Sequence, residues 1–75
     1  MIVVFQHETL RLRRKEKCLT QEMLAERCGC SPRYLRDLEA GEKRNPSAAL
    51  LIQFVYALDI SAEELMAAQL EESYR

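Results

Sequence analysis

Apolar positions along the chain recur at helical spacing, and capping residues separate one run from the next. Thr20 stands before a segment of strong helix formers in which Leu24, Ala25 and Cys28 share one face. Thr20 is a suitable N-cap, and Gly29 sits where a glycine closes a helix in the left-handed conformation. Ser31 then caps a second run, with Pro32 at the first helical position, where its missing N–H costs nothing. Leu35 and Leu38 give that helix its buried stripe, which ends near Ala40 and Gly41. Residues 42–46 form a polar loop. Ser47 caps a helix running to Leu58, with Ala48, Leu51, Val55 and Leu58 as the expected core face. Ser61 caps a further helix, with Glu63 and Glu64 favoured by the dipole of its first turn and Leu65 and Met66 as core contacts. Upstream, a first helix is expected from Gln6 or His7 to Lys17. Its apolar stripe, Leu10 and Leu12 interrupted by arginines, is poor. The opening Ile2 to Phe5 is β-branched and fits either a short strand or a first helical turn. No segment alternates well enough to predict a sheet. The expected fold is all-α, a compact bundle of five short helices with brief connections.

Composition sharpens this picture. At 75 residues, 48% hydrophobic and 31% charged, the chain has the size and balance of one small globular domain, with little room for a substrate cleft. Ala48 to Leu58, interrupted by Gln53, is too short to cross a bilayer, and Met1 to Phe5 is too short for a secretory apolar region. Three cysteines, Cys18, Cys28 and Cys30, make no disulfide framework. With His7 as the one distant histidine they lack the spacing of a zinc site. They read as small thiols in a reducing cytoplasm, and no metal or cofactor is expected. No nucleophile–base pair, phosphate-cradling glycine loop or carboxylate pair can be assembled, so enzymatic activity is not expected.

Residues 20–40 make a helix, a short glycine-opened turn and a second helix. Such a unit can project the N-terminal end of its second helix into a DNA major groove. Arg33, Arg36 and Asp37 are the polar residues placed there, with Gln21 opening the preceding helix. The ordered set Leu19-Thr20-Gln21-x-x-Leu24-Ala25, Gly29-Cys30-Ser31, Leu35, Leu38-Glu39-x-Gly41 and Asn45-Pro46-Ser47 resembles the Cro/C1-type (Xre-type) helix-turn-helix family, over about residues 10–66. The resemblance implies a lambda repressor-like bundle and a recognition helix at 31–39, with 67–75 as a C-terminal extension. It implies base-reading positions at Pro32, Arg33 and Asp37 and a bracing Gln21. It also implies an internal Arg14–Glu39 salt bridge, and a loop of Lys43, Arg44 and Asn45 along the DNA backbone. Four features depart from the family pattern: Pro32 carries no side-chain donor, Cys18 replaces a usual glycine, Arg13 replaces an aliphatic residue, and the loop is one residue longer.

Arg33 is the candidate guanine reader, because arginine pairs with O6 and N7 together. Arg36 suits a phosphate or a base. Asp37 suits cytosine N4 or the orientation of Arg33. Tyr34 suits the sugar–phosphate backbone or the bundle edge, and Ser31 lies at the same helix start. His7 reads as a structural residue. The expected function is sequence-specific regulation of transcription, by binding a partly palindromic operator as a homodimer; the sequence leaves repressor and activator both open. Ile52, Tyr56 and Leu70 are its candidate dimer contacts. The alternative is an interaction module, for example one that binds a toxin. Net charge is only −1, but residues 1–45 carry ten Lys/Arg against seven Asp/Glu, whereas residues 46–75 carry one against five. The resulting dipole orients a basic end toward phosphate.

Overall fold

Thr20, Ser31 and Ser47 open three helices in the same way. Each hydroxyl accepts from the backbone N–H three residues on, at 3.0 Å for Met23 and Tyr34 and 3.1 Å for Leu50. The computed structural model describes residues 2–69. In chain order they form β1 (Ile2–Phe5), α1 (His7–Glu16), α2 (Gln21–Cys28), α3 (Pro32–Ala40), α4 (Ala48–Leu58), α5 (Ala62–Leu65) and β2 (Met66–Gln69). Gly29 and Gly41 close α2 and α3 with φ of 77° and 85°, in the left-handed region where a side chain is strained.

The five helices are accompanied by a sheet that the periodicity did not predict. β1 and β2 pair antiparallel, Ile2 with Gln69 through Phe5 with Met66. The Gln6 N–H donates to the Leu65 carbonyl at 2.6 Å where the ribbon meets the bundle. Met66-Ala67-Ala68-Gln69 has helical propensity, and Met66 was expected to continue α5. It leaves the helix because the β-branched strand at the opposite end of the chain offers a ladder, and tertiary pairing overrides local preference.

Phe5, Leu10, Leu19, Leu24, Ala25, Cys28, Leu35, Leu38, Phe54, Leu58 and Leu65 make one core. On α4 the buried face differs from the expected stripe. Phe54 and Leu58 are fully buried, Leu51 and Val55 lie half-buried at its flanks, and Ala48 is exposed. Nearly every residue of α4 is apolar, so periodicity alone cannot choose a face. Packing against α2 and α5 places the largest side chain inward. On α1, Leu12 is exposed and Arg14 takes the buried position one turn after Leu10, which explains the poor apolar stripe. Arg13 ties α1 to the start of α5, its Nη2 lying 2.9 Å from Glu64.

Cys18 turns the chain between α1 and α2 with φ of 59° and an exposed side chain. The left-handed conformation costs a non-glycine residue about 1–2 kcal/mol, and glycine's extra unfolded-state entropy returns about half of that. Cys18→Gly is therefore expected to stabilise the fold by about 0.5–1 kcal/mol, read as a melting temperature raised by several degrees. A lowered melting temperature would show that this turn carries no strain.

Candidate nucleic-acid interface

The start of α3 is fixed from three sides. Behind it, the Cys30 N–H reaches over Gly29 to the Ala25 carbonyl at 3.0 Å and sets the tight turn from α2. Beneath it, Leu35 and Leu38 are fully buried. At its far end, Glu39 is drawn into a buried polar cluster. Arg14 Nε donates to Glu39 Oε2 at 2.7 Å and Nη2 donates to Oε1 at 3.0 Å, a two-pronged pair in which both residues are at least 93% buried. Arg14 Nη1 donates to the Leu19 carbonyl at 2.7 Å, and Gln21 Nε2 donates to Glu39 Oε1 at 3.0 Å. The cluster joins α1, the turn before α2, α2 itself and α3, and no buried side-chain polar atom among the described residues lacks a partner.

His7, read from the sequence as a structural residue, adds a fifth link. Its Nδ1 lies 3.0 Å from the Glu39 carbonyl, a contact that requires the Nδ1 proton. A Cβ on Gly41 would lie 3.1 Å from its ring, so Gly41 is needed for close approach as well as for its φ. No local pattern announces this contact, because it joins residues 32 apart.

With α3 held this way, Ser31, Pro32, Arg33 and Arg36 are exposed. Tyr34 is half-buried and packs against the core, at the bundle edge. Asp37 is half-buried, and its carbonyl accepts from the Glu42 and Lys43 N–H groups at 2.9 and 3.3 Å, which starts the following loop. Arg33 and Asp37 stand one turn apart but form no ion pair among those of the described residues. Orientation of Arg33 is one of the two roles that Asp37 suits, the other being cytosine N4. Lys43, Arg44 and Asn45 are exposed on the loop. Gln21 is half-buried, with its amide nitrogen engaged by Glu39.

Two exposed cations of α1, Arg11 and Lys15, border the same region and were missed in the sequence. Their spacing of four residues on a polar helix face was the available signal. On the opposite part of the sequence, Ile52 and Tyr56 are exposed on α4, Tyr56 at 79%, while Leu70 lies outside the described residues. Burial pushes the Cys28 thiol up to about 11 and raises that of Cys30. Among the described residues no three His, Cys, Asp or Glu side chains group to hold a metal, and no helix is long and apolar enough to cross a membrane.

A protein-family model described as helix-turn-helix matches residues 10–65. The chain belongs to the Cro/C1-type helix-turn-helix family. This Cro/C1-type chain is 48% identical over 53 residues to an uncharacterized HTH-type transcriptional regulator, y4dJ, of Sinorhizobium fredii (strain NBRC 101917 / NGR234), covering 71% of this chain and 68% of the relative. Among solved structures it is similar to SinR, the master regulator for biofilm formation, in complex with DNA. The TM-score is 0.75 and the identity 30%, covering 79% of this chain and 97% of the other. It is also similar to the restriction-modification controller protein C.AhdI from Aeromonas hydrophila, with TM-score 0.71 and 34% identity, covering 77% and 86%. The fold is thus lambda repressor-like, and the Cro/C1-type family and these neighbours are regulators of transcription.

Proposed function

We propose that this chain is a single Cro/C1-type domain that binds duplex DNA sequence-specifically, with residues 31–39 in the major groove. The observation that carries this reading is the exposure of Arg33, beside Ser31 and Pro32, on a helix locked from behind by the Arg14–Glu39–Gln21 cluster. A rigid helix with solvent-facing donors is what base reading requires. SinR, of the same fold, was solved with DNA. Arg33 reads a base. Lys43, Arg44 and Asn45 contact the backbone from the loop, Gln21 and Ser31 contact it at the helix starts, and Tyr34 braces the bundle edge. One such helix covers too few base pairs to find a genomic site, so the reading includes a homodimer on a partly palindromic operator, with half-sites about 34 Å apart. Ile52 and Tyr56 supply exposed apolar surface for that contact.

Selection from a random duplex library, followed by binding across salt, tests the reading. Recovered sequences are expected to show two inverted half-sites, and affinity is expected to fall steeply between about 50 and 200 mM salt. Arg33→Ala is expected to relax preference at one base pair by about 1–3 kcal/mol. Lys43→Ala is expected to weaken all sequences alike and to lower the salt slope by about 1. Salt-independent affinity, or no selected sequence, would favour the interaction-module reading, with a toxin-like protein as partner.

A further inference from the structure

A surface groove of about 360 Å3 runs between α1 and α3 and is lined by Arg11, Arg14, Lys15, Gln21, Arg36 and Glu39, together with Ala40. We propose that Arg11, Lys15 and Arg36 form a phosphate-contact site for the DNA backbone in this groove, separate from the loop contacts, and that Arg36 therefore holds backbone rather than reading a base. The proposal rests on the DNA-binding reading above and adds the residues that would grip the second backbone position.

The charge balance of the groove carries the argument. Its one carboxylate, Glu39, is already occupied by Arg14 and Gln21. Among the described residues, Arg11, Lys15 and Arg36 have no carboxylate within ion-pair distance. Three exposed cations from two helices therefore line one groove whose carboxylate is already paired. Glu8, which shares the adjoining cleft with Arg11 and Lys15, forms no ion pair with them, and the arrangement favours an anion. Arg11 and Lys15 are one helical turn apart on α1, with Arg36 across from them on α3. That layout suits a line of repeated negative charges better than one compact anion. The first turn of α2, an eight-residue helix, adds Gln21 to the same wall. Lys43 and Arg44 line a different cleft with Val4, Phe5, His7 and Gly41. The protein thus offers two cationic clefts, one fed by Arg36 in α3 and one by the loop that leaves its other end.

The test compares wild type, the single variants R11Q and K15Q, the double variant, and K43A for binding to the selected duplex across salt. Each phosphate contact contributes about 0.9 to the slope of log affinity against log salt. The double variant is expected to lower the slope by about 1.8, so that its loss of affinity between 50 and 200 mM is about tenfold smaller than wild type's, with unchanged base preference. Each single variant is expected to give half of that slope change. Arg11 and Lys15 are both exposed, so the variants are expected to keep the wild-type helical signal and melting temperature or better. A wild-type slope in the double variant, with K43A still lowering it, overturns the groove assignment alone. An altered base preference in the double variant also overturns it. Absence of duplex binding by the wild type overturns the parent reading and the groove with it.

Discussion

Glu39→Ala is expected to destabilise the fold by about 3–5 kcal/mol, because it leaves a buried guanidinium without its counter-charge. Arg14 is 7% exposed and would keep only the Leu19 carbonyl as a partner. Gln21 would lose its acceptor as well. A domain of this length has a total stability of about 4–11 kcal/mol, so the loss removes a large share of it. The melting temperature is expected to fall by at least about 12 °C, followed by circular dichroism. Replacing both partners with methionine is expected to be milder than Glu39→Ala, since no unpaired charge is then buried. A Glu39→Ala protein that melts within a few degrees of wild type would mean that water reaches Arg14 at little cost. The functional consequence follows from position. The cluster holds the end of α3 against α1 and α2, so its loss is expected to weaken operator binding even where the protein remains folded.

Phe54→Ala is expected to cost a similar amount, about 3–5 kcal/mol, by leaving a cavity at the centre of the core. Phe54 is fully buried, and the surrounding helices α2 and α5 are held by caps and ion pairs that limit collapse. Val55→Ala, at a half-buried position, is expected to cost about 1 kcal/mol. Urea denaturation of the two variants measures the difference. Equal midpoints would show that α4 is turned to bury Val55 as deeply as Phe54. The contrast matters because the sequence pattern points to Val55 and passes over Phe54.

These two residues show what governs legibility. The ends of α2, α3 and α4 could be read directly, because Thr20, Ser31, Ser47, Gly29 and Gly41 act within a few residues of themselves. Helix α3 was legible for the same reason, since Leu35 and Leu38 mark its inner face and leave Arg33 and Arg36 outside. Helix α4 was legible as a helix but not as an orientation, because apolar residues surround it on every side. On α1, a core position held by Arg14 disguised the buried stripe, and the exposed pair Arg11 and Lys15 looked like ordinary solvated charge. Its meaning depends on Arg36, which lies 21 residues beyond Lys15 in the chain.

The sequence by itself determined five helices, the N-caps of the last four, a helix-turn-helix at residues 20–40 and the polar residues at the start of its second helix. All of these rest on interactions between residues a few positions apart. The tertiary structure alone decided the β1–β2 ribbon, the buried face of α4, the hydrogen bond from His7 to the Glu39 carbonyl and the cationic groove between α1 and α3. Each of these needs groups that are distant in the chain. Pairing, burial and electrostatic field depend on what the fold brings alongside, and local propensity carries no record of it.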